Sequence, residues 1–382
     1  AIWDCIEKTL FLCRDRFGKK PLFYSFINDG LGFASEMKAF FPIMDKIETN
    51  VKLIKNTSKI FDYECTDECL IKGIKRFPAG SYAWYKDGNL NITKWWNTLD
   101  NLVEVPLKYE EQVEYFRELF IDACKIRMRS DVPIGTALSG GLDSSSVISC
   151  LKNISLKNKC ERVSDDWQHA FIASFPGTPL DETYYAKKVT ENIGIKETII
   201  NINPLNEIDK LDDYLFLFEE NYITSPIPFM MTYKAIKNNK VTVSIDGHGA
   251  DELFGGYPWD ILSAINDNYF NYKNVSMILD TYYEIFPSEK SQLNKNIQKS
   301  KILFLAKWIG RSFLKSLKNY LFPKFLFDNF KTENLKKLDS LNKTLYNSTH
   351  LNILPTLLRN YDRYSMSSGV EVRMPFMDYR IV

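Results

Sequence analysis

The sequence lacks several features that mark specialised classes of protein. Its 382 residues contain no run approaching the roughly 20 apolar residues that a membrane-spanning helix needs. Lysine and arginine (49) balance aspartate and glutamate (48), so no overall field favours nucleic acid or an acidic partner. The seven cysteines are odd in number and scattered, unlike a disulfide framework. These absences predict reduced thiols in a cytoplasmic protein with no membrane or nucleic-acid partner.

What is present is ordinary for a globular protein, with 45% hydrophobic and 25% charged residues in a chain long enough for two domains. The sequence begins inside a strand-like run at Ala1 and stops at Val382 without a polar tail. We therefore expect a fragment of a longer chain. A basic helical pattern between Lys290 and Lys324 could bind an anionic surface, but a solvated helix face is the preferred interpretation.

One stretch, Ser-Gly-Gly-Leu-Asp-Ser-Ser at 139–145, dominates the functional interpretation. It follows the apolar run Ile134–Leu138, a predicted strand, and precedes a helix predicted to begin near Ser144. A strand-to-helix turn directs unpaired N–H groups and the positive end of the helix dipole at one point, where an anion binds. The residues expected to hold phosphate or its bridging cation are Ser139, Gly140, Gly141, Asp143, Ser144 and Ser145.

The stretch is neither the Walker loop, whose lysine and spacing are missing, nor the dinucleotide-binding Gly-x-Gly-x-x-Gly. A serine- and glycine-rich turn that only caps a helix is the simpler alternative. The pattern resembles the PP-loop of ATP pyrophosphatases, and with Asp131-Val132-Pro133-Ile134-Gly135 before it, the chain resembles the glutamine-hydrolysing asparagine synthetase family.

A second turn, Asp246–Tyr257, places an acidic pair between pairs of glycines. Acidic groups near a triphosphate would repel it unless a cation intervened, so Asp251 is predicted to join Asp143 as a Mg²⁺ ligand. Both aspartates match metal-binding positions of the family that the chain resembles. For Glu252, a favourable helix-dipole charge and a structural ion pair both stay open.

His248, in the same turn, departs from the family pattern. The family usually carries glutamate or aspartate here, placed to take protons from attacking ammonia. A histidine can also serve as a general base near neutral pH, although it could instead only shape the pocket. The departure weakens the expectation that free aspartate is the acceptor.

Beyond residue 108 the predicted strands and helices alternate, which indicates an α/β fold with a parallel sheet flanked by helices. Ligands bind beyond the carboxyl ends of such strands. Further strands are predicted at 169–175, 197–202 and 240–245. By analogy with the family, Leu138, Ala173 and Gly247 lie where strand ends would contact adenine.

Residues 1–97 show short strands and turns, which predict an antiparallel sheet. Arg14–Leu22 and Phe33–Ala39 resemble the end of an Ntn-type glutaminase domain, so we expect a partial glutaminase domain at 1–97 and a synthetase domain at 98–382. The family's N-terminal cysteine nucleophile would lie upstream, and the fragment alone should not hydrolyse glutamine. Cys5 and Cys13 are predicted to be buried structural thiols.

The terminal block 357–378 packs charges among apolar residues and resembles the family's acceptor-side segment. Glu371 is the candidate catalytic residue there, with a structural salt bridge as the alternative. A helical C-terminal part surrounds this block. The family's late lysine, which steadies the phosphates, would lie beyond Val382.

The resemblance implies a ligase that uses ATP and Mg²⁺ to adenylate a carboxylate, releases pyrophosphate, and transfers glutamine-derived ammonia to make an amide. Aspartate is the first candidate acceptor, which would make the product asparagine, and a homodimer is compatible with the family. Two alternatives stay open. The same chemistry could act on another carboxylate, such as a uronic acid or a peptide side chain, or the fold could serve a non-catalytic ATP-binding protein.

Overall fold

The computed structural model describes residues 1–28, 30–56, 66–157, 169–220, 226–285 and 337–382, together with residues 310 and 335. These residues form two compact units. The first comprises Ala1–Gly249 and Leu354–Val382, and the second comprises Ala250–Ile353. No helix in the described ranges is long and apolar enough to cross a membrane. The basic pattern between Lys290 and Lys324 lies outside the described residues.

The N-terminal part of the first unit consists of two antiparallel sheets, as predicted. Their strands are β1 (Ile2–Asp4), β2 (Thr9–Cys13), β3 (Phe23–Ile27), β4 (Gly30–Ala34), β5 (Lys75–Arg76), β6 (Ser81–Lys86) and β7 (Asn89–Lys94). The orders are β1-β2-β6-β7 and β4-β3-β5. Alternate residues of β2 are buried, and Leu12 packs against Ala83 and Phe77. The prediction of buried thiols is wrong for Cys5 and Cys13, which are exposed in the turn after β1 and on the outer face of β2.

The rest of the first unit is built on a five-stranded parallel sheet in the order β10-β9-β8-β11-β12. The strands are β8 (Ile134–Ala137), β9 (His169–Ser174), β10 (Lys196–Asn201), β11 (Val243–Ile245) and β12 (Glu371–Arg373). The chain runs outward from β8 through β9 to β10, and then adds β11 and β12 on the other side. The central strand β8 therefore ends at the point where the strand order reverses, the usual ligand site of such sheets. The predicted α/β fold class is confirmed.

The helices of the described ranges include those that the sequence predicted, at 109–129 and after Ser144, and others besides. They are α1 (Val51–Asn56), α2 (Tyr109–Arg127), α3 (Leu142–Lys157), α4 (Thr183–Ile193), α5 (Leu211–Phe218), α6 (Pro226–Asn238), α7 (Ala250–Phe254), α8 (Pro258–Ser263), α9 (Tyr272–Ile285), α10 (Ser340–His350) and α11 (Ile353–Met366). Acidic residues in the first turn of α2 and basic residues in its last turn complement the helix dipole. Helix α4 ends at Gly194, whose positive φ of 63° closes the helix.

The second unit has its own apolar core, formed by helices α8 and α9 and the segment between them. The buried side chains of this core are Leu262, Ile265, Val275, Leu279, Tyr282 and Tyr283. Asp339 caps α10 by accepting a hydrogen bond from the Asn342 amide at 2.7 Å. The unit is therefore helical, in line with the predicted helical C-terminal part.

Within the first unit, ion pairs join the N-terminal sheets to the residues around the parallel sheet. Lys20 Nζ lies 2.9 Å from Asp362 Oδ1, and Arg76 Nη2 lies 3.1 Å from Glu220 Oε1 with both side chains buried. Arg363 Nη1 pairs with Glu36 Oε1 at 3.1 Å. Asp362 and Arg363 belong to the charged terminal block, so the structural interpretation of those two charges is the one observed.

Replacing Phe218 by alanine should lower the free energy of unfolding by about 3–5 kcal/mol, because the side chain is fully buried. Its ring stacks on Tyr364 with centroids 5.1 Å apart. Phe216→Ala is the matched control on the same helix. Its ring is 58% exposed, so its loss should change stability by less than about 0.5 kcal/mol. Urea titrations of the two variants would measure the difference, and equal losses would contradict this account of the core.

Candidate active site

The phosphate loop, defined as residues 138–145, begins where β8 stops and continues into α3. The Leu138 amide donates to the Phe171 carbonyl at 2.9 Å, which extends the parallel pairing past the strand. The Leu138 side chain is 2% exposed and packs in an apolar core with Ile148 and Ala170. Leu138 therefore anchors the loop, and its backbone is the part left to contact a ligand.

Serine hydroxyls fix the shape of the loop. Ser139 Oγ and Ser144 Oγ lie 3.0 Å apart, and Ser139 Oγ accepts from the Gly141 amide at 3.1 Å. The Ser145 hydroxyl is buried and has no hydrogen-bond partner among the described residues. A buried hydroxyl without a partner is unfavourable, and an oxygen of a bound ligand could satisfy it.

Two glycines let the backbone approach closely on either side of the loop. Gly140 has φ +85°, and a Cβ there would lie 2.5 Å from the Ala186 amide nitrogen of α4. A Cβ on Gly247 would lie 2.7 Å from the Ser144 nitrogen in the first turn of α3. The structure thus brings the turn after β11 against the phosphate loop, as the sequence predicted from strand order.

Asp246 is the functional residue that sequence reasoning missed. Its carboxylate is 1% exposed and lies directly after β11. Oδ1 accepts from the Ala137 amide at 3.0 Å and from the Ser244 hydroxyl at 2.6 Å. Oδ2 accepts from the Tyr233 hydroxyl at 2.9 Å. The carboxylate therefore ties β11 to the root of the phosphate loop, and the glycines beside it in the sequence were the available signal.

His248 lies next to this carboxylate. Its Nε2 atom is 3.4 Å from the Tyr233 hydroxyl and 3.6 Å from Asp246 Oδ2. The imidazole stacks on the ring of Tyr361 with centroids 3.6 Å apart. Burial and the nearby Asp246 carboxylate raise the pKa of Tyr233 well above its ordinary value, so this hydroxyl stays protonated.

The two predicted metal ligands lie in different units. Asp143 is half-buried in the first turn of α3. Asp251 lies in the second unit on α7, and its exposed side chain contacts Gly256. Partial desolvation by the surrounding protein raises the pKa of the Asp251 carboxyl. In the part of the chain that the structure describes, no three or more His, Cys, Asp or Glu side chains cluster as a metal site. Any Mg²⁺ at Asp143 would need oxygens from a phosphate and from water.

Ala173, the remaining residue predicted at a strand end, is half-buried near the carboxyl end of β9. Glu252 of α7 is buried, and its carboxylate accepts from the Tyr257 hydroxyl at 2.5 Å. This carboxylate is thus held within the second unit.

Glu371 does not join the phosphate loop. It begins β12 and aligns with Val243, which in turn aligns with Ile134 at the start of β8, whereas the loop follows the end of β8. Its carboxylate is exposed and pairs with Arg373 Nε at 2.9 Å. Both side chains line a cavity of about 550 Å³ together with Arg127 and Arg129. The ion pair that was the alternative is therefore present, and the catalytic role of Glu371 stays a prediction.

Two known protein families together match almost the whole chain. The family model described as asparagine synthase matches residues 115–382, and the model described as a glutamine amidotransferase domain matches residues 1–96. The chain belongs to the asparagine synthase family. The resemblance identified from the phosphate loop and the acidic turn is therefore confirmed.

Curated relatives of this asparagine synthase family member include asparagine synthetase [glutamine-hydrolyzing] 1 of Bacillus subtilis (strain 168). It is 27% identical over 99% of the chain and 59% of the relative. Asparagine synthetase B of Escherichia coli (strain K12) is 27% identical over 67% of the chain and 42% of the relative. Amidase chyE of Penicillium rubens is 24% identical over 100% of the chain and 61% of the relative. The chain thus spans about three-fifths of the length of the relatives that it matches throughout.

Gly140→Ala should destabilise this asparagine synthase family member more than Gly177→Ala does. Both glycines have positive φ, +85° and +77°, so both variants carry the strain of a left-handed alanine, about 1–2 kcal/mol. Only at Gly140 would the methyl group also meet backbone, which adds about 1–3 kcal/mol of overpacking. Urea unfolding measures the difference. Equal destabilisation would mean that the loop does not pack tightly on α4.

Proposed function

We propose that the full-length protein is an ATP-dependent amide-forming ligase. A carboxylate oxygen attacks the α-phosphate of ATP, which gives an acyl-adenylate and pyrophosphate, and ammonia then displaces AMP to leave an amide. The observation that carries the proposal is the phosphate loop at the switch point of the sheet, with Gly247 packed against Ser144. The match to an asparagine synthase model supports the same chemistry.

The loop offers the groups that this first step needs. Backbone N–H groups at the start of α3 and the hydroxyls of Ser139, Ser144 and Ser145 would bind the departing pyrophosphate. The donor chemistry at Asp143 fits Mg²⁺, which when bound would neutralise charge on the phosphates. Asp251 stays a predicted ligand from the sequence. The Leu138 backbone, Ala173 and Gly247 are the proposed adenine contacts.

The second step needs ammonia and a group that takes its proton. The match of residues 1–96 to a glutamine amidotransferase model supports glutamine as the ammonia donor of the full-length protein. His248 is the proposed base, because it directly follows Gly247, which packs against Ser144, and its Nε2 lies 3.6 Å from the Asp246 carboxylate. Aspartate is the first acceptor to test because several relatives carry the name asparagine synthetase.

Asp143→Ala in the full-length protein should reduce carboxylate-dependent ATP–pyrophosphate exchange by about 100-fold or more, as expected for loss of electrostatic stabilisation at a phosphate. Asp251→Ala should do the same if the sequence prediction is right. Asp213→Ala, an exposed acid of α5, is the control and should leave exchange unchanged. Normal exchange in both test variants would contradict the metal assignment. If the unaltered protein shows neither exchange nor a higher melting temperature with ATP, a non-catalytic role gains support.

A second candidate is the same chemistry on another carboxylate. His248 in place of the family's usual acid favours it, and one relative bears the name amidase chyE. Pyrophosphate release from the full-length protein, measured with aspartate, uronic acids and carboxylate-bearing peptides, separates the two. Release greatest with aspartate supports asparagine synthesis, and release greatest with another carboxylate supports the second candidate.

A further inference from the structure

We infer that Tyr233 and Asp246 are positioning residues that hold His248 as a single neutral tautomer, with the proton on Nε2 and the lone pair on Nδ1. The inference deepens the proposed function and rests on it, since that function makes His248 the base. It assigns a role to two residues to which sequence reasoning assigned none: Tyr233, which lies outside both motifs, and Asp246, the first residue of the acidic turn.

The argument starts from the single proton of the Tyr233 hydroxyl. That proton is committed to Asp246 Oδ2 at 2.9 Å, because a buried carboxylate needs donors. No lysine or arginine of the described residues pairs with Asp246, so the Ala137, Ser244 and Tyr233 donors stabilise its charge. The Tyr233 oxygen can then only accept a hydrogen bond from a further neighbour.

The next neighbour is His248 Nε2, 3.4 Å from that oxygen. An unprotonated Nε2 would direct a lone pair at the lone pairs of Tyr233 and at Asp246 Oδ2, 3.6 Å away. A protonated Nε2 instead donates to the Tyr233 oxygen, and its positive N–H lies near the carboxylate. Stacking on Tyr361, with the ring planes 16° apart, restrains rotation of the imidazole. The hydrogen bond on one ring nitrogen decides which nitrogen holds the proton, so the lone pair is assigned to Nδ1.

Nδ1 has no hydrogen-bond partner among the described residues. In the second step the amine nitrogen attacks the acyl carbonyl, the bond between that carbon and the AMP oxygen breaks, and AMP leaves with the electron pair. The proton lost by the nitrogen passes to Nδ1. The resulting imidazolium lies beside the Asp246 carboxylate, which stabilises it as the aspartate of a catalytic triad stabilises its histidine.

The tautomer can be measured without any substrate. Full-length protein labelled with ¹⁵N-histidine, at about pH 8 where an ordinary histidine is neutral, gives separate Nδ1 and Nε2 signals in long-range ¹H–¹⁵N spectra. His248→Gln identifies the signals of His248. We expect the Nε2–H tautomer. In Asp246→Asn the amide should donate to the Tyr233 oxygen, turn the Tyr233 proton toward Nε2 and produce the Nδ1–H tautomer, while Asn Oδ1 still accepts from Ala137.

Tyr233→Phe gives a second spectroscopic test if Asp246→Asn does not fold. This variant keeps the ring and removes the acceptor of the Nε2–H bond, so the Nε2–H tautomer, then favoured only by the Asp246 carboxylate, is expected to lose part of its population. An Nδ1–H tautomer in the unaltered protein would overturn the inference, as would a tautomer that neither variant changes. The tautomer measurement uses no substrate, so its outcome does not depend on which carboxylate the enzyme adenylates.

Activity gives the complementary test. With aspartate and ammonium as probes, Tyr233→Phe should slow amide formation by about 10- to 100-fold, the usual cost of losing a residue that orients a functional histidine. Aspartate-dependent ATP–pyrophosphate exchange should be unchanged. The matched control is Tyr214→Phe, which removes another buried hydroxyl that donates to a carboxylate, that of Glu207 at 2.7 Å.

Equal loss in both steps would show that Tyr233 only supports the fold, and would overturn the positioning role. Absence of exchange in the unaltered protein would instead be a failure of the proposed function with aspartate. The spectroscopic arm still decides the tautomer in that case, so the two failures are distinguishable.

Discussion

The buried carboxylate of Asp246 is the constraint on which the candidate site depends. A charge at 1% exposure is costly unless donors surround it, and here the Ala137 amide, the Ser244 hydroxyl and the Tyr233 hydroxyl do so. One of these donors is the last residue of β8, and another leads to His248. The root of the phosphate loop and the imidazole are therefore fixed by the same group. In the proposed function, binding of phosphate and transfer of the ammonia proton would therefore depend on the same carboxylate.

Helix α11 connects this anchor to the N-terminal sheets within the first unit. Its Asp362 and Arg363 pair with Lys20 and Glu36, while its Tyr361 stacks on His248. Asp362 and Arg363 are both buried, so these ion pairs constrain the helix more than exposed surface pairs would. Residues 1–96, which match a glutamine amidotransferase domain, thus form ion pairs with the same helix whose Tyr361 stacks on the imidazole.

The sequence predicted the α/β fold well because most of the strands and helices that the notable motifs join carry a local apolar pattern of their own. The prediction was weakest where partners are distant. Strand β12 has three residues with one buried side chain, too few to show a period, and its register is what separates Glu371 from the loop. The glycines next to Asp246 marked the turn but not the role of the carboxylate, because its donors at Ala137 and Tyr233 lie 109 and 13 residues away. Such contacts exist only once the sheet has formed.

The Asp246 carboxylate, 3.6 Å from Nε2, gives a physical reason for a histidine at position 248. If the family's usual glutamate or aspartate occupied this place, two carboxylates would lie within about 4 Å in a half-buried site, and one of them would have to be protonated. A protonated acid could not accept a proton from the amine. A neutral imidazole causes no repulsion, and its cation is attracted to Asp246. In the proposed function, Asp246 would supply the negative charge and His248 the proton-accepting lone pair, two tasks that a single acid would otherwise combine.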